Sequence, residues 1–137
     1  MRSERADMAA KIVISIVDDD ESVREATMSL MKALGFDSEA FSSAEDFLLS
    51  ERRHRTDCVI TDVQMPGMTG LELYRRLSTS DKPIPTVLIT AHADDNMRAN
   101  ALKAGVIGYL TKPFKEKDLM GCINSALERK GLKDDSR

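Results

Sequence analysis

The sequence is poor in residues that staple a fold, ligate a soft metal or span a membrane. It holds two cysteines, Cys58 and Cys122, in different segments, with no CxxC spacing and no paired histidine. That excludes a disulfide framework and a thiolate metal centre. Both are read as reduced, buried small hydrophobes, which fits a cytoplasmic chain. The two histidines, His54 and His92, are too isolated to suggest a metal site. No apolar run approaches the length of a membrane span. The N-terminal "MRSERADMAA" lacks the apolar centre of a secretory signal. Basic surplus is also missing. The net charge is −3 and the pI about 5.4, which argues against direct binding of nucleic acid through a basic face. There is no internal repeat and no low-complexity segment.

What is present suits one soluble domain. The 137 residues leave no room for a second folded unit, and 42% hydrophobic residues supply a core. "KIVISIV" (Lys11–Val17) is a nearly continuous apolar, β-branched run, as in a strand buried on both faces. Val23, Ala26, Thr27, Leu30, Met31 and Leu34 then fall on one helical face, with Gly35 placed to cap it. "DSEAF" (Asp37–Phe41) is a weaker, more polar strand near an edge. Ser42 and Glu45 have capping-box spacing before a short helix. Apolar strands at Asp57–Asp62, Thr86–Thr90 and Val106–Leu110 alternate with helices after Gly70, before Gly105 and over Glu116–Arg129. Residues 1–9 and 131–137 are expected to be loose tails around a domain at 10–130, and Met8 is an alternative start.

Five βα units with apolar strands predict a parallel sheet with helices on both faces, a doubly wound fold. Ligands in such folds sit at the carboxyl ends of the strands. Those ends carry Asp18, Asp19 and Asp20 after the first strand, and Asp62 after the third. Thr90 follows the fourth, and Thr111, Lys112 and Pro113 follow the fifth. Carboxylates at one rim favour a hard cation. Mg²⁺ (or Mn²⁺) takes oxygen ligands, binds through one or two carboxylates and keeps several waters. Asp19 and Asp62 suit direct ligation, Asp18 acts mostly through water, and the backbone carbonyl of Gln64 completes the shell. A carboxylate is also a nucleophile, able to form an aspartyl phosphate. Asp62 stands alone on the central strand and is the natural choice. Asp20 and Glu21 are assigned to the start of the first helix, with no metal role. Met65 and Met68 are assigned to packing or partner contact.

Four motifs in this order, "IVDDDES", "VITDVQMPGMTG", "VLITAHAD" and "GYLTKPF", resemble the receiver domain of two-component response regulators. The likeness runs from Lys11 to Arg129. "VDDDESVR" and "SAEDFL" look closest to nitrogen-fixation-type regulators. The resemblance implies a flavodoxin-like (βα)5 fold with strand order 2-1-3-4-5. By position it implies that Asp62 is the phosphoacceptor, Asp18 and Asp19 the acidic pair for Mg²⁺, and Lys112 the contact to the phosphoryl group. Thr90 would be the switch hydroxyl and Tyr109 the aromatic that moves inward with it. The Lys112–Pro113 bond would be cis. Gln64 and His92 would flank the path of attacking water and tune the phosphate lifetime.

The implied donor is a sensor histidine kinase or a histidine phosphotransfer protein, and acetyl phosphate is a candidate small donor. The implied output surface is formed by the fourth helix, the fifth strand and the last helix. It would engage a partner protein, by binding or by passing phosphate on. The chain would be a monomer or a phosphorylation-promoted dimer. It would be no enzyme beyond catalysing its own phosphorylation and dephosphorylation. A free-standing receiver is favoured over a fragment of a longer transcription factor or hybrid kinase. A dehalogenase-type phosphatase would want an Asp at position 64, where Gln64 stands. A flavin binder would want a Ser/Thr/Gly-rich phosphate loop where the acids are. A receiver acting without phosphorylation, as an interaction domain, is the remaining rival.

Overall fold

The computed structural model describes residues 12–92, 94–129 and 131. The tail expected at 1–9, residues 132–137 of the tail expected at 131–137, and Lys11 at the start of the first predicted strand lie outside these residues. Among the described residues five strands and five α-helices alternate: β1 (Val13–Val17), α1 (Glu21–Ala33), β2 (Asp37–Phe41), α2 (Ala44–Leu49), β3 (Cys58–Asp62), α3 (Gly70–Ser78), β4 (Thr86–Thr90), α4 (Asp95–Ala104), β5 (Gly108–Thr111) and α5 (Glu116–Arg129). A 3₁₀ turn over Glu51–Arg55 links α2 to β3. The strands form one parallel sheet in the order β2-β1-β3-β4-β5. The chain therefore reverses its winding direction between β1 and β3, where a doubly wound sheet opens its crevice.

Period-two alternation sorts the strand side chains to the two faces. On one face Ile14, Ile16, Cys58, Ile60, Val87 and Ile89 pack with Met31 of α1 and with Leu119, Ile123, Ala126 and Leu127 of α5. On the other, Val17, Phe41 and Val59 meet Ala44, Phe47, Leu73 and Leu77 from α2 and α3. The Phe41 and Phe47 rings meet edge to face at 5.2 Å. A third cluster joins Val63, Leu88, Ala101, Val106 and Tyr109 under α4. Ser15 and Thr56 are buried polar residues that satisfy each other through a 2.6 Å hydroxyl contact. Cys58 is buried, Cys122 is half-buried, and neither is in a disulfide. Among the described residues no helix is long and apolar enough to cross a membrane.

Four local features depart from the sequence reading. Ala26 was expected on the buried face of α1 but is exposed, and Met28 packs against the core in its place. The last strand is Gly108–Thr111 rather than Val106–Leu110, with Val106 buried ahead of it. Nothing in the sequence reading anticipated the 3₁₀ turn. The expected Ser42–Glu45 capping box is replaced by a cap one residue later. Ser43 Oγ accepts from the Asp46 N–H at 3.0 Å, while Glu45 points elsewhere.

Candidate phosphoacceptor and metal site

β1 ends in Val17 and the chain turns out of the sheet at Asp18. The Asp18 N–H still bonds the Phe41 carbonyl at 3.1 Å, so this acid is held at the sheet edge and is 4% exposed. Its Oδ1 accepts from the Asp20 N–H at 2.9 Å. Arg24, one turn into α1, donates Nη1–H to the Asp18 carbonyl at 2.7 Å and braces the turn from below. Asp20 is the N-cap of α1. Its Oδ1 accepts from the Ser22 N–H, the Ser22 hydroxyl and the Val23 N–H. Those donors hold its pKa below the ordinary carboxylate value, the Ser22 hydroxyl contributing most. The acidic run thus divides its labour: Asp18 and Asp19 face the rim, and Asp20 starts the helix.

Asp62 closes β3 next to them. Carboxylate oxygens of Asp18, Asp19 and Asp62 lie within 4.8 Å of one another. Lys112 Nζ reaches across from the end of β5, 3.6 Å from Asp18 Oδ2 and 4.0 Å from Asp62 Oδ2. Burial pushes the Asp62 pKa up and the Asp18 charge adds to this, against Lys112 and the Gln64 N–H, which pull it down. One ammonium is outnumbered by three carboxylates. Three hard oxygen donors converging on one point, partly shielded from water, fit a divalent ion of the Mg²⁺ type.

The loop after Asp62 folds back over it. Gln64 donates its N–H to Asp62 Oδ1 at 3.3 Å, and Gly70 donates to the Val63 carbonyl at 2.9 Å. A Cβ at position 70 would run into the Asp62 carbonyl, so this close approach requires glycine. Met65 is buried and Met68 packs on the same apolar cluster as Phe47.

Thr90 ends β4 at 1% exposure. Its Oγ1 accepts from the His92 N–H at 3.1 Å, so the hydroxyl is engaged with its own loop. Tyr109 sits one strand over with its ring already buried. Its hydroxyl meets no hydrogen-bond partner among the described residues. Arg98 of α4 donates to the Tyr109 carbonyl at 3.1 Å. Gln64 and His92 are both exposed in their loops. The Lys112–Pro113 peptide bond is cis. Asp18, Asp19 and Asp62 therefore cluster and Lys112 reaches Asp18 and Asp62, while Tyr109 packs in the cluster under α4. Sequence reading missed Arg24 and the cross-loop role of Glu45. Both act on backbone groups, which leave no spacing signal.

Comparison with known proteins agrees with this architecture. The family model described as "Response regulator receiver domain" matches residues 14–124. The response regulator protein TodT of Pseudomonas putida is 44% identical over 116 residues, covering 85% of this chain and 51% of its own. The transcriptional regulatory protein FixJ of Rhizobium meliloti is 36% identical over 115 residues, covering 84% of this chain and 56% of its own. This accords with the likeness to nitrogen-fixation-type regulators. The chain thus spans about half the length of these curated relatives. Among solved structures, a response regulator receiver domain protein from Clostridium thermocellum superposes with a TM-score of 0.81 at 29% identity, covering 88% of this chain and 98% of that one. The chain is a member of the response regulator receiver family, the phosphorylation switches of two-component signalling.

Proposed function

We propose that Asp62 accepts a phosphoryl group from a phosphohistidine, and that Asp18, Asp19, Asp62 and the Gln64 carbonyl hold the divalent ion that supports the transfer. The observation carrying this reading is the cluster itself. Three carboxylates and one ammonium converge at the winding reversal of the sheet, and Asp62 alone sits at the end of the central strand. A bound Mg²⁺ supplies charge neutralisation for the incoming phosphoryl oxygens. Asp62 attacks in line through a carboxylate oxygen, its O–P bond forming as the N–P bond of the donor phosphohistidine breaks and the imidazole leaves. Lys112, already 4.0 Å from that carboxylate, moves its ammonium onto the phosphoryl group. Thr90 gives up its bond to the His92 N–H and turns its hydroxyl toward the new phosphate. Gln64 and His92 flank the approach of water and set how long the acyl phosphate lasts.

The response travels to the surface made by α4, β5 and α5. Tyr109 and Arg98 tie that surface together, and a partner that prefers one arrangement shifts the population. The donor is a sensor histidine kinase or a phosphotransfer protein. The partner of this surface is a protein rather than a nucleic acid, since the chain carries a net charge of −3. A second reading concerns output: longer relatives that are named transcriptional regulatory proteins, of which the match covers 60% and 56%, favour control of transcription through a separate region.

Intact mass spectrometry after incubation with acetyl phosphate and Mg²⁺ tests the chemistry. A single added phosphoryl group is expected. It should be absent in Asp62→Asn and absent with chelator. If that donor gives no adduct and beryllofluoride with Mg²⁺ also fails to bind, the phosphorylation switch is wrong and the domain acts by constitutive interaction.

A further inference from the structure

Glu45 has the spacing of a capping residue, yet it does not cap. Its side chain leaves α2 and crosses to the loop that follows Asp62. There Oε2 accepts the Met68 N–H at 2.9 Å, from 23 residues away in sequence. The neighbouring Gly67 has φ +77°, and a Cβ built on it would stand 2.7 Å from the same carboxylate oxygen. The glycine thus does two things: it adopts the left-handed turn and it leaves room for the acid.

The loop Val63–Thr69 is pinned in three places. At its neck the Gly70 N–H bonds the Val63 carbonyl. In its middle, Met65 and Met68 sink into the apolar cluster of α2 and α3. At its outer edge the polar anchor from another element is Glu45. The first of these holds the loop to itself and the second is made of flexible thioether side chains. The start of the loop is also held by the Val63 N–H on the Ile89 carbonyl at 2.9 Å and the Gln64 N–H on Asp62 Oδ1 at 3.3 Å, and the carboxylate is the directional anchor at its far edge. Gln64, whose carbonyl is proposed above to complete the metal shell, lies in this loop.

We infer that Glu45 is a positioning residue for the metal site: it holds the Asp62 loop from α2, so that the Gln64 carbonyl is presented at a fixed distance from Asp62. This rests on the reading of Asp18, Asp19 and Asp62 as a divalent-ion site. Mg²⁺ demands near-ideal octahedral geometry with short bonds, so a loop shift that a looser ion would tolerate weakens it. Glu45 is exposed and Met68 N–H can bond water when released. Removing the acid therefore frees the loop without unfolding the domain.

The test uses the 137-residue chain in four variants, with two readouts that need no phosphoryl transfer. Amide exchange reports the Met68 N–H, and Mg²⁺ titration by NMR reports affinity. Glu45→Ala should lose protection at Met68 and bind Mg²⁺ about 10-fold more weakly, the low end of what supporting groups of a metal site contribute. Glu45→Gln keeps an acceptor at the same reach and should stay within about twofold of wild type, since orientation rather than charge is at stake. Gly67→Ala should weaken Mg²⁺ like Glu45→Ala, and the double variant should be no worse than either, as two changes to one contact must be. Equal Mg²⁺ affinity in Glu45→Ala and wild type would overturn the clamp alone. A loss shared by Glu45→Gln and Glu45→Ala would overturn it too, in favour of plain charge. A wild-type chain that binds no Mg²⁺ would sink the metal reading and the clamp with it.

Discussion

Asp62 ends β3 with Asp18 beside it and Lys112 Nζ 4.0 Å from its carboxylate. Burial and the neighbouring acid raise its pKa above the ordinary value. The folded chain therefore takes up this proton at a higher pH than the unfolded chain. Between those two pKa values the folded state binds more protons, so stability falls as pH rises, and above both the loss is constant. In chelator, Asp62→Asn should melt above wild type. The gap should be smallest near the unfolded carboxylate pKa of about 3.9, widen as pH rises and then level off. Solvent screening keeps it to a few degrees, roughly what 1 kcal/mol brings to a domain of this size. Thermal melts across pH check this, and a gap that closes toward neutral pH contradicts it. Adding Mg²⁺ reverses the order, because only wild type gains the ion's binding energy. At a free Mg²⁺ of 100 times its dissociation constant that gain is about 2.7 kcal/mol.

At the scale of elements, the acidic run makes a separable prediction. Asp20 caps α1 through three hydrogen bonds. Asp20→Ala should lower the melting temperature, as cap losses do, and leave Mg²⁺ affinity nearly unchanged. Asp19→Ala should do the reverse, since Asp19 is exposed and its carboxylate points to the rim. Melting curves and Mg²⁺ titration on the same two samples separate the roles. The elements also show what was legible. The doubly wound parallel sheet, the buried faces of β1, β3 and β4, and the convergence of Asp18, Asp19, Asp62 and Lys112 follow from apolar runs and from the polar residues at their ends, while the strand order is implied by the family resemblance. Runs and end residues are signals of period and position, which the chain states directly. What failed was local and tertiary. Two adjacent serines offered two registers for the α2 cap, and the choice of Ser43 left Glu45 free to reach Met68. Ala26 sits at the margin of the α1 face and is too small to declare a side. Arg24 bonds a carbonyl, and every residue has one of those.

For the whole molecule, the open coupling is between the acid rim and the α4–β5–α5 surface, and Tyr109 lies on it. Its ring packs with Val63, the residue after Asp62, and with Leu88 and Ala101. A shift at the Asp62 loop therefore has a packed route to α4. The inward ring is 3% exposed and its hydroxyl meets no partner among the described residues. An unsatisfied buried hydroxyl costs roughly 1–3 kcal/mol, a penalty confined to the inward arrangement and absent when the hydroxyl reaches water. The tyrosine hydroxyl would thus hold the switch back until phosphate and Thr90 make up the difference. Tyr109→Phe removes the penalty and keeps the ring. It should melt higher than wild type and bind beryllofluoride with Mg²⁺ more tightly. The ceiling is set by how rarely the inward state is populated beforehand, because affinity rises only as that fraction approaches one. Thr90→Ala in the same background removes the hydroxyl that answers the phosphate. It should leave the higher melting temperature and abolish the response of the α4–β5–α5 surface to beryllofluoride. Amide exchange over residues 95–111, with and without beryllofluoride, reads both. A Tyr109→Phe chain with unchanged melting and unchanged beryllofluoride affinity would mean that the hydroxyl carries no penalty and that the bias lies elsewhere in the cluster.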